Sequence, residues 1–191
     1  MSKIWITSDW HFNHDREFIW KPRGFQSVEE MNKTIIANHN SIVADEDDVY
    51  VLGDLCLGGG ETSTIFRNQA LIGRLKGRLH IILGNHDTPA RIEMYRFCKN
   101  VVEVVYATML HYRGYHFYLS HFPTLTANLE KETLKQCTIN LYGHTHQQNN
   151  FFEDRPYMYH VGVDSHNCCP VLLDDAIEDM KNKVKECKEQ L

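Results

Sequence analysis

Apolar residues gather along this chain in short runs, and five of those runs stop at polar residues. The runs occupy 3–7, 49–52, 79–83, 115–119 and 138–142 and are rich in Val, Ile, Leu, Tyr and Phe. Their length and β-branched content predict strands, and their near-continuous apolar character predicts strands covered on both faces. Elsewhere the period changes. Ser27 and Glu30 stand in capping-box spacing ahead of a stripe of Met31, Ile35 and Ile42, with Ile36 and Val43 beside it, which predicts a helix over 27–43. Further helices are predicted over 62–76 and, from the Thr88-Pro89 start signal, to about 100. After that, 101–110, 115–119, 138–142 and 157–163 are strand-like, and a last helix over 174–190 carries Ile177, Met180, Val184 and Cys187 on one face. Asp45-Glu46-Asp47-Asp48 reads as a solvated acidic turn. Gly58-Gly59-Gly60 reads as a flexible loop, since it lacks the Gly-Lys-Ser/Thr ending of a phosphate-binding loop.

The first half thus alternates strand and helix, and the second half is mostly strand. This predicts one α/β (α+β) domain over 1–191, with two sheets packed face to face and helices outside. The apolar runs stop at Ser8-Asp9-Trp10-His11, Gly53-Asp54, Gly84-Asn85-His86-Asp87, Ser120-His121-Phe122 and Gly143-His144-Thr145-His146. If the strands lie side by side, two Asp, one Asn and four His reach one sheet edge, where ligands bind in such folds. Gly53, Gly84 and Gly143 let the chain turn sharply just before a polar residue. Carboxylate, amide oxygen and imidazole suit hard or borderline divalent ions, and two adjacent ions of that kind can clamp a phosphoryl group.

Composition narrows the classes. The chain has 191 residues, 42% of them hydrophobic, and a formal net charge of -5. That gives no sign of a basic nucleic-acid-binding domain. No stretch approaches the roughly 18 apolar residues of a membrane span, and the N-terminus runs directly into the first strand, so a cytoplasmic location is expected. The six Cys form no C-x-x-C pair and are expected to be reduced and mostly buried.

The order Asp9-x-His11, Gly53-Asp54, Gly84-Asn85-His86-Asp87, His121, Gly143-His144-x-His146 resembles the calcineurin-like metallophosphoesterases over about residues 3 to 165. The resemblance implies a four-layer αββα sandwich of two mixed sheets flanked by helices. It implies two divalent metal ions, manganese first, with iron, zinc or nickel as alternatives. Asp9, His11 and His146 would hold one ion, Asn85, His121 and His144 the other, and Asp54 would bridge them. His86 would stabilise the phosphoryl group or protonate the leaving oxygen, and a metal-bridging hydroxide would attack in line. Asp87 would orient His86 or cap the helix that follows.

His14, Arg16 and Arg23 are candidates for substrate phosphate contacts, with Asn85, and Asp164 and His166 for support of the His144–His146 loop. His39, His80, His111, His116 and His160 read as structural, and Phe151, Phe152, Tyr157 and Tyr159 as packing. The Gly-Asp-x-x-Asp-Arg-Gly and Asn-His-Glu signatures of the family's protein phosphatases are absent, and too little chain follows the motifs for a nuclease cap domain. The expected substrate is a small phosphomonoester or phosphodiester. A compact nuclease on single-stranded nucleic acid is the alternative, for which Arg74, Lys76 and Arg78 offer a local basic track. A non-catalytic protein-binding scaffold is disfavoured by the intact ligand set. No membrane partner is expected, and the oligomeric state is not legible.

Overall fold

The computed structural model describes residues 2–58, 61–126 and 133–189. Gly59 and Gly60 of the expected glycine loop, and Gln190 at the end of the last expected helix, lie outside the described residues. Four parallel strands, β1 (Ile4–Thr7), β2 (Asp48–Leu52), β3 (Arg78–Ile82) and β4 (Val101–Val105), form one sheet. The short strand β9 (Val171–Leu172) joins it antiparallel, giving the order β4-β3-β2-β1-β9. The second sheet has the order β5-β6-β7-β8, from β5 (Ala107–Tyr112), β6 (Tyr115–Ser120), β7 (Thr138–Tyr142) and β8 (Met158–His160). It too is mixed: β5 and β6 are antiparallel, whereas β6, β7 and β8 run parallel.

Strand alternation explains why the first sheet is apolar on both sides. Trp5, Val49, Val51, Leu79 and Ile81 point to one face and pack with α2 (Val28–Ile42), α3 (Thr62–Ile72) and α4 (Pro89–Arg96). Their neighbours Ile6, Leu52 and Ile82 point to the other face and meet Phe117, Leu119, Ile139 and Leu141 of the second sheet. The last helix, α5 (Leu173–Glu189), inserts Ala176, Ile177 and Met180 into that same inter-sheet core. A one-turn helix, α1 (Glu17–Trp20), follows β1.

The capping box of α2 forms, with a shift. The Ser27 hydroxyl accepts from the Glu30 amide at 3.2 Å, while the Glu30 carboxylate reaches the amide of Gln26 at 2.7 Å. Three expectations change. The single run 101–110 is two strands in different sheets, broken at Tyr106, because the chain changes sheets there. The helices α3 and α4 stop at Ile72 and Arg96, short of 76 and 100. The acidic turn is not a solvated loop throughout. Asp47 is buried and accepts from the Lys3 amide at 2.7 Å, the Trp5 indole at 2.9 Å and the Ala44 amide at 3.1 Å. Asp48 binds Arg78 at 2.7 Å and His80 at 3.0 Å. Four of the six cysteines are buried, as expected.

Candidate metal centre

The five polar stops are shared between the sheets: β1, β2 and β3 deliver three of them, and β6 and β7 the other two. The loop after β1 lies along the loop after β2. The amide of Asp9 donates to Gly53 O at 3.1 Å, and that of His11 to Asp54 O at 3.0 Å. The second sheet is tied in by the Val163 amide to Ser8 O at 3.2 Å and by the His144 amide to Asp9 Oδ2 at 2.9 Å. Two glycines permit this closeness. A Cβ on Gly53, whose φ is 94°, would collide with the His121 ring, and one on Gly143 would collide with Ser8 Oγ and Asp9 Oδ2.

The backbone at the site is unusual. Asp9, His11, Asn13, Asp54, His144 and His146 all have positive φ, between 49° and 69°. For a residue with a Cβ this region costs on the order of 1 kcal/mol or more, and such conformations gather where function demands them.

The side chains converge. Asp9 Oδ1 lies 3.9 Å from His11 Nε2 and 4.0 Å from His146 Nε2, and those two nitrogens are 3.1 Å apart. Asp54 Oδ2 lies 3.9 Å from His11 Nε2, 3.5 Å from His121 Nε2 and 3.9 Å from His86 Nε2. Asn85 Oδ1 lies 2.9 Å from His121 Nε2. Donor atoms of Asp9, His11 and His146 lie within 4.8 Å of one another, as do those of Asp9, Asp54 and His121. His144 stands beside them, its ring 5.0 Å from that of His121 and 4.7 Å from that of Phe122.

Hydrogen bonds on the outer ring nitrogens fix which atoms face inward. His121 Nδ1 donates to Leu52 O at 2.8 Å, which turns its Nε2 toward Asn85 Oδ1. His146 Nδ1 donates to Asp164 Oδ2 at 2.8 Å. Asp9 Oδ1 and His11 Nδ1 are buried with no hydrogen-bond partner. A buried carboxylate oxygen left unpaired among converging imidazoles is what a divalent cation would satisfy. The donor chemistry therefore fits the expected ions.

The electrostatics agree. Burial, against the pull of His121 and His146, raises the Asp9 carboxyl above its ordinary range. Burial, helped by His146 and Arg23, holds the His11 imidazole far below its ordinary value. At His146 burial works downward, but the Asp164 hydrogen bond and the Asp9 charge outweigh it and raise the group. Burial also pulls His144 and His14 down. Burial thus penalises a bare charge on Asp9 and discourages protons on His11, His14 and His144.

A cavity of about 540 Å³ opens above the cluster. His11, Asp54, Asn85, His86, His144 and His146 line it, with His14, so the expected contacts Asn85 and His14 are placed at the cavity. Arg16 is not: it is exposed, outside the lining, and starts α1. Arg23 is also corrected. Its guanidinium is 2% exposed and grips Asp164 at 2.8 and 3.0 Å, with further bonds to Asp9 O at 2.9 Å and Trp10 O at 3.2 Å, so its donors are committed away from any substrate. Asp164 does support the loop, through His146. His166 does not, since its Nε2 binds His160 O at 2.8 Å. Asp87 neither bonds the His86 ring nor caps α4, whose N-cap is Thr88. Its carboxylate accepts from the Gly84 amide at 2.7 Å, the Asp54 amide at 3.2 Å and the Tyr95 hydroxyl at 2.6 Å, and so fixes the turns that aim Asp54 and Asn85. The Arg74, Lys76 and Arg78 segment leads into the start of β3, whereas the site follows its end. Arg78 is paired with Asp48.

Several contributors had no sequence signal. Phe18, Ile19, Pro22 and Gln148 also line the cavity. Asn13, Asn32 and Asn68 share their amides, with Asn13 Nδ2 to Asn68 Oδ1 at 2.6 Å and Asn32 Nδ2 to Asn13 Oδ1 at 2.9 Å. That network clasps the first site loop to α2 and α3. Asn is common in loops, so its pattern in one sequence does not distinguish such a clasp.

Among known proteins, an uncharacterized protein of Methanocaldococcus jannaschii is 34% identical over 183 residues, covering 91% of this chain and 89% of the relative. The Gene 66 protein of Mycobacterium phage D29 is 29% identical over 213 residues, covering 97% of this chain and 99% of the relative. The crystal structure of a protein of unknown function from Aquifex aeolicus superimposes with a TM-score of 0.68 at 19% identity, covering 93% of this chain and 99% of that one. It shows the same fold. The calcineurin-like phosphoesterase family profile matches residues 2–126, and with these motifs and relatives the chain belongs to that family.

Proposed function

We propose that the chain is a dinuclear-metal phosphoesterase that hydrolyses a small phosphodiester or phosphomonoester. The observation that carries this reading is the convergence of ligand atoms, those of Asp9, His11 and His146 and those of Asp9, Asp54 and His121 each lying within 4.8 Å of one another, around the unpartnered buried Asp9 Oδ1. Asp9, His11 and His146 would hold one ion, and Asn85, His121 and His144 the other. Asp54, within 3.9 Å of both His11 and His121, would be shared. Manganese is the first choice for both, with iron, zinc or nickel as alternatives. When bound, two such ions supply Lewis-acid polarisation of the phosphoryl group and acidification of water.

The protein's own groups would do the rest. His86 projects into the cavity 3.9 Å from Asp54, placed to donate to a phosphoryl oxygen or to the leaving group. Asp87 positions the backbone beneath it. His14, partly exposed at the cavity wall, would contact the phosphate or its substituent. Nothing comparable supports a nuclease: the basic segment lies at the far end of the strands, and Arg78 is already paired.

The test is hydrolysis of bis-p-nitrophenyl phosphate and p-nitrophenyl phosphate with added Mn²⁺, with Asp54→Asn as control. Metal-dependent turnover that is lost in the variant supports the proposal, and the faster ester separates diesterase from monoesterase. Turnover that survives in Asp54→Asn, or a wild-type protein that binds no metal, overturns it.

A further inference from the structure

The outer face of the second sheet carries a histidine pair that has no part in the site above. The β5–β6 hairpin closes through Arg113 and Gly114, both with positive φ (50° and 80°), which is the two-residue turn that matches strand twist. Its closing pair is Tyr112 and Tyr115, and the next is His111 opposite His116. In such a ladder the pair after the closing one is the narrow, non-hydrogen-bonded kind, whose side chains stand closest. The two imidazoles accordingly meet, Nδ1 to Nδ1 at 2.6 Å, with ring centroids 4.7 Å apart and planes at 82°. Tyr115 and Phe117 point into the core, so His116 is directed outward, and His111 is exposed.

We propose that His111 and His116 form a separate, mononuclear site for a borderline transition-metal ion such as Cu²⁺, Ni²⁺ or Zn²⁺. Two nitrogens at metal–nitrogen distances near 2.0–2.1 Å are about 2.9–3.4 Å apart across a cis or tetrahedral angle. A small outward rotation of the rings meets that separation. Imidazole selects these ions over Mg²⁺ or Ca²⁺, and water would complete the coordination. The rigid hairpin holds both ligands in place before binding, which lowers the ordering cost. The ion would cross-link the two strands at the sheet edge, so binding would also stabilise the fold. This chemistry differs from that of the buried, carboxylate-rich cluster.

The experiment uses untagged full-length protein labelled with ¹⁵N, titrated with Cu²⁺, and compared with His116→Asn and His111→Asn. The expected result is paramagnetic broadening of the amides from Leu110 to Phe117 in the wild type and its loss in either variant, with hairpin affinity weakened by roughly tenfold or more. Folding of the variants is read from the rest of the same spectrum. Broadening confined to the neighbourhood of Asp54, or hairpin broadening unchanged in both variants, overturns the proposal.

Discussion

Removing the Asp164 carboxylate tests how far the fold and the candidate metal centre depend on one buried ion pair. Arg23 and Asp164 are 2% and 9% exposed, and the guanidinium bonds to both carboxylate oxygens. Asp164→Ala leaves Arg23 buried with two neutral carbonyls, of Asp9 and Trp10, and the Met31 thioether as acceptors. Removing one partner of a buried pair costs about 3–5 kcal/mol, because the remaining charge is uncompensated. For a chain of this size that is a fall in Tm of roughly 6–20 °C. The same carboxylate holds His146 Nδ1 at 2.8 Å, and loss of such a support weakens metal binding about 10–100-fold. The assay is urea denaturation followed by Mn²⁺ titration, with Asp164→Asn alongside. Asparagine keeps one acceptor oxygen and should fall between wild type and alanine on both scales. A loss below about 1 kcal/mol for Asp164→Ala would refute the argument, since that is the range of an exposed pair.

Two further outcomes follow from buried groups. His39 is buried against Lys76 O at 2.8 Å, and burial lowers it from 6.5 to about 4. Its folded value lies below its unfolded one, so the unfolded chain binds the extra proton. Wild-type stability should be full above pH 6.5 and fall by up to about 3 kcal/mol as pH drops toward 4, and His39→Gln should flatten that slope in denaturation curves across the window. Gly143→Ala places a methyl against Ser8 Oγ and Asp9 Oδ2 and should reduce metal content measured on the purified protein.

The site's donors were legible because strand ends impose order. An apolar run followed by Gly and a ligand-type residue leaves few places for that residue to go, and each of the five runs is a strand in the structure. What sequence could not convey was conformation and partnership. Positive φ at Asp9, His11, Asp54, His144 and His146 could not be read from residue type, since Asp and His tolerate that region better than most residues but adopt others more often. Arg23 looked like a phosphate ligand because it is a cation near the first motif. Its true partner, Asp164, is far along the chain, and such pairings depend on tertiary packing. Tyr106 was invisible as a break because both flanking strands share one apolar texture.

The change of sheet at Tyr106 divides the donors. Asp9, His11, Asp54, Asn85 and His86 precede it, while His121, His144 and His146 follow it. Neither segment holds a complete set on its own: the first supplies four strands of one sheet, and the second supplies the other sheet and returns through β9 to pair with β1. The chain is therefore a natural candidate for fragment complementation: severed at Tyr106, two inert pieces would regain ligand geometry only by reassembling the sandwich. Recombination between relatives faces the same constraint, because a half can be exchanged only for one whose histidines meet the other's carboxylates.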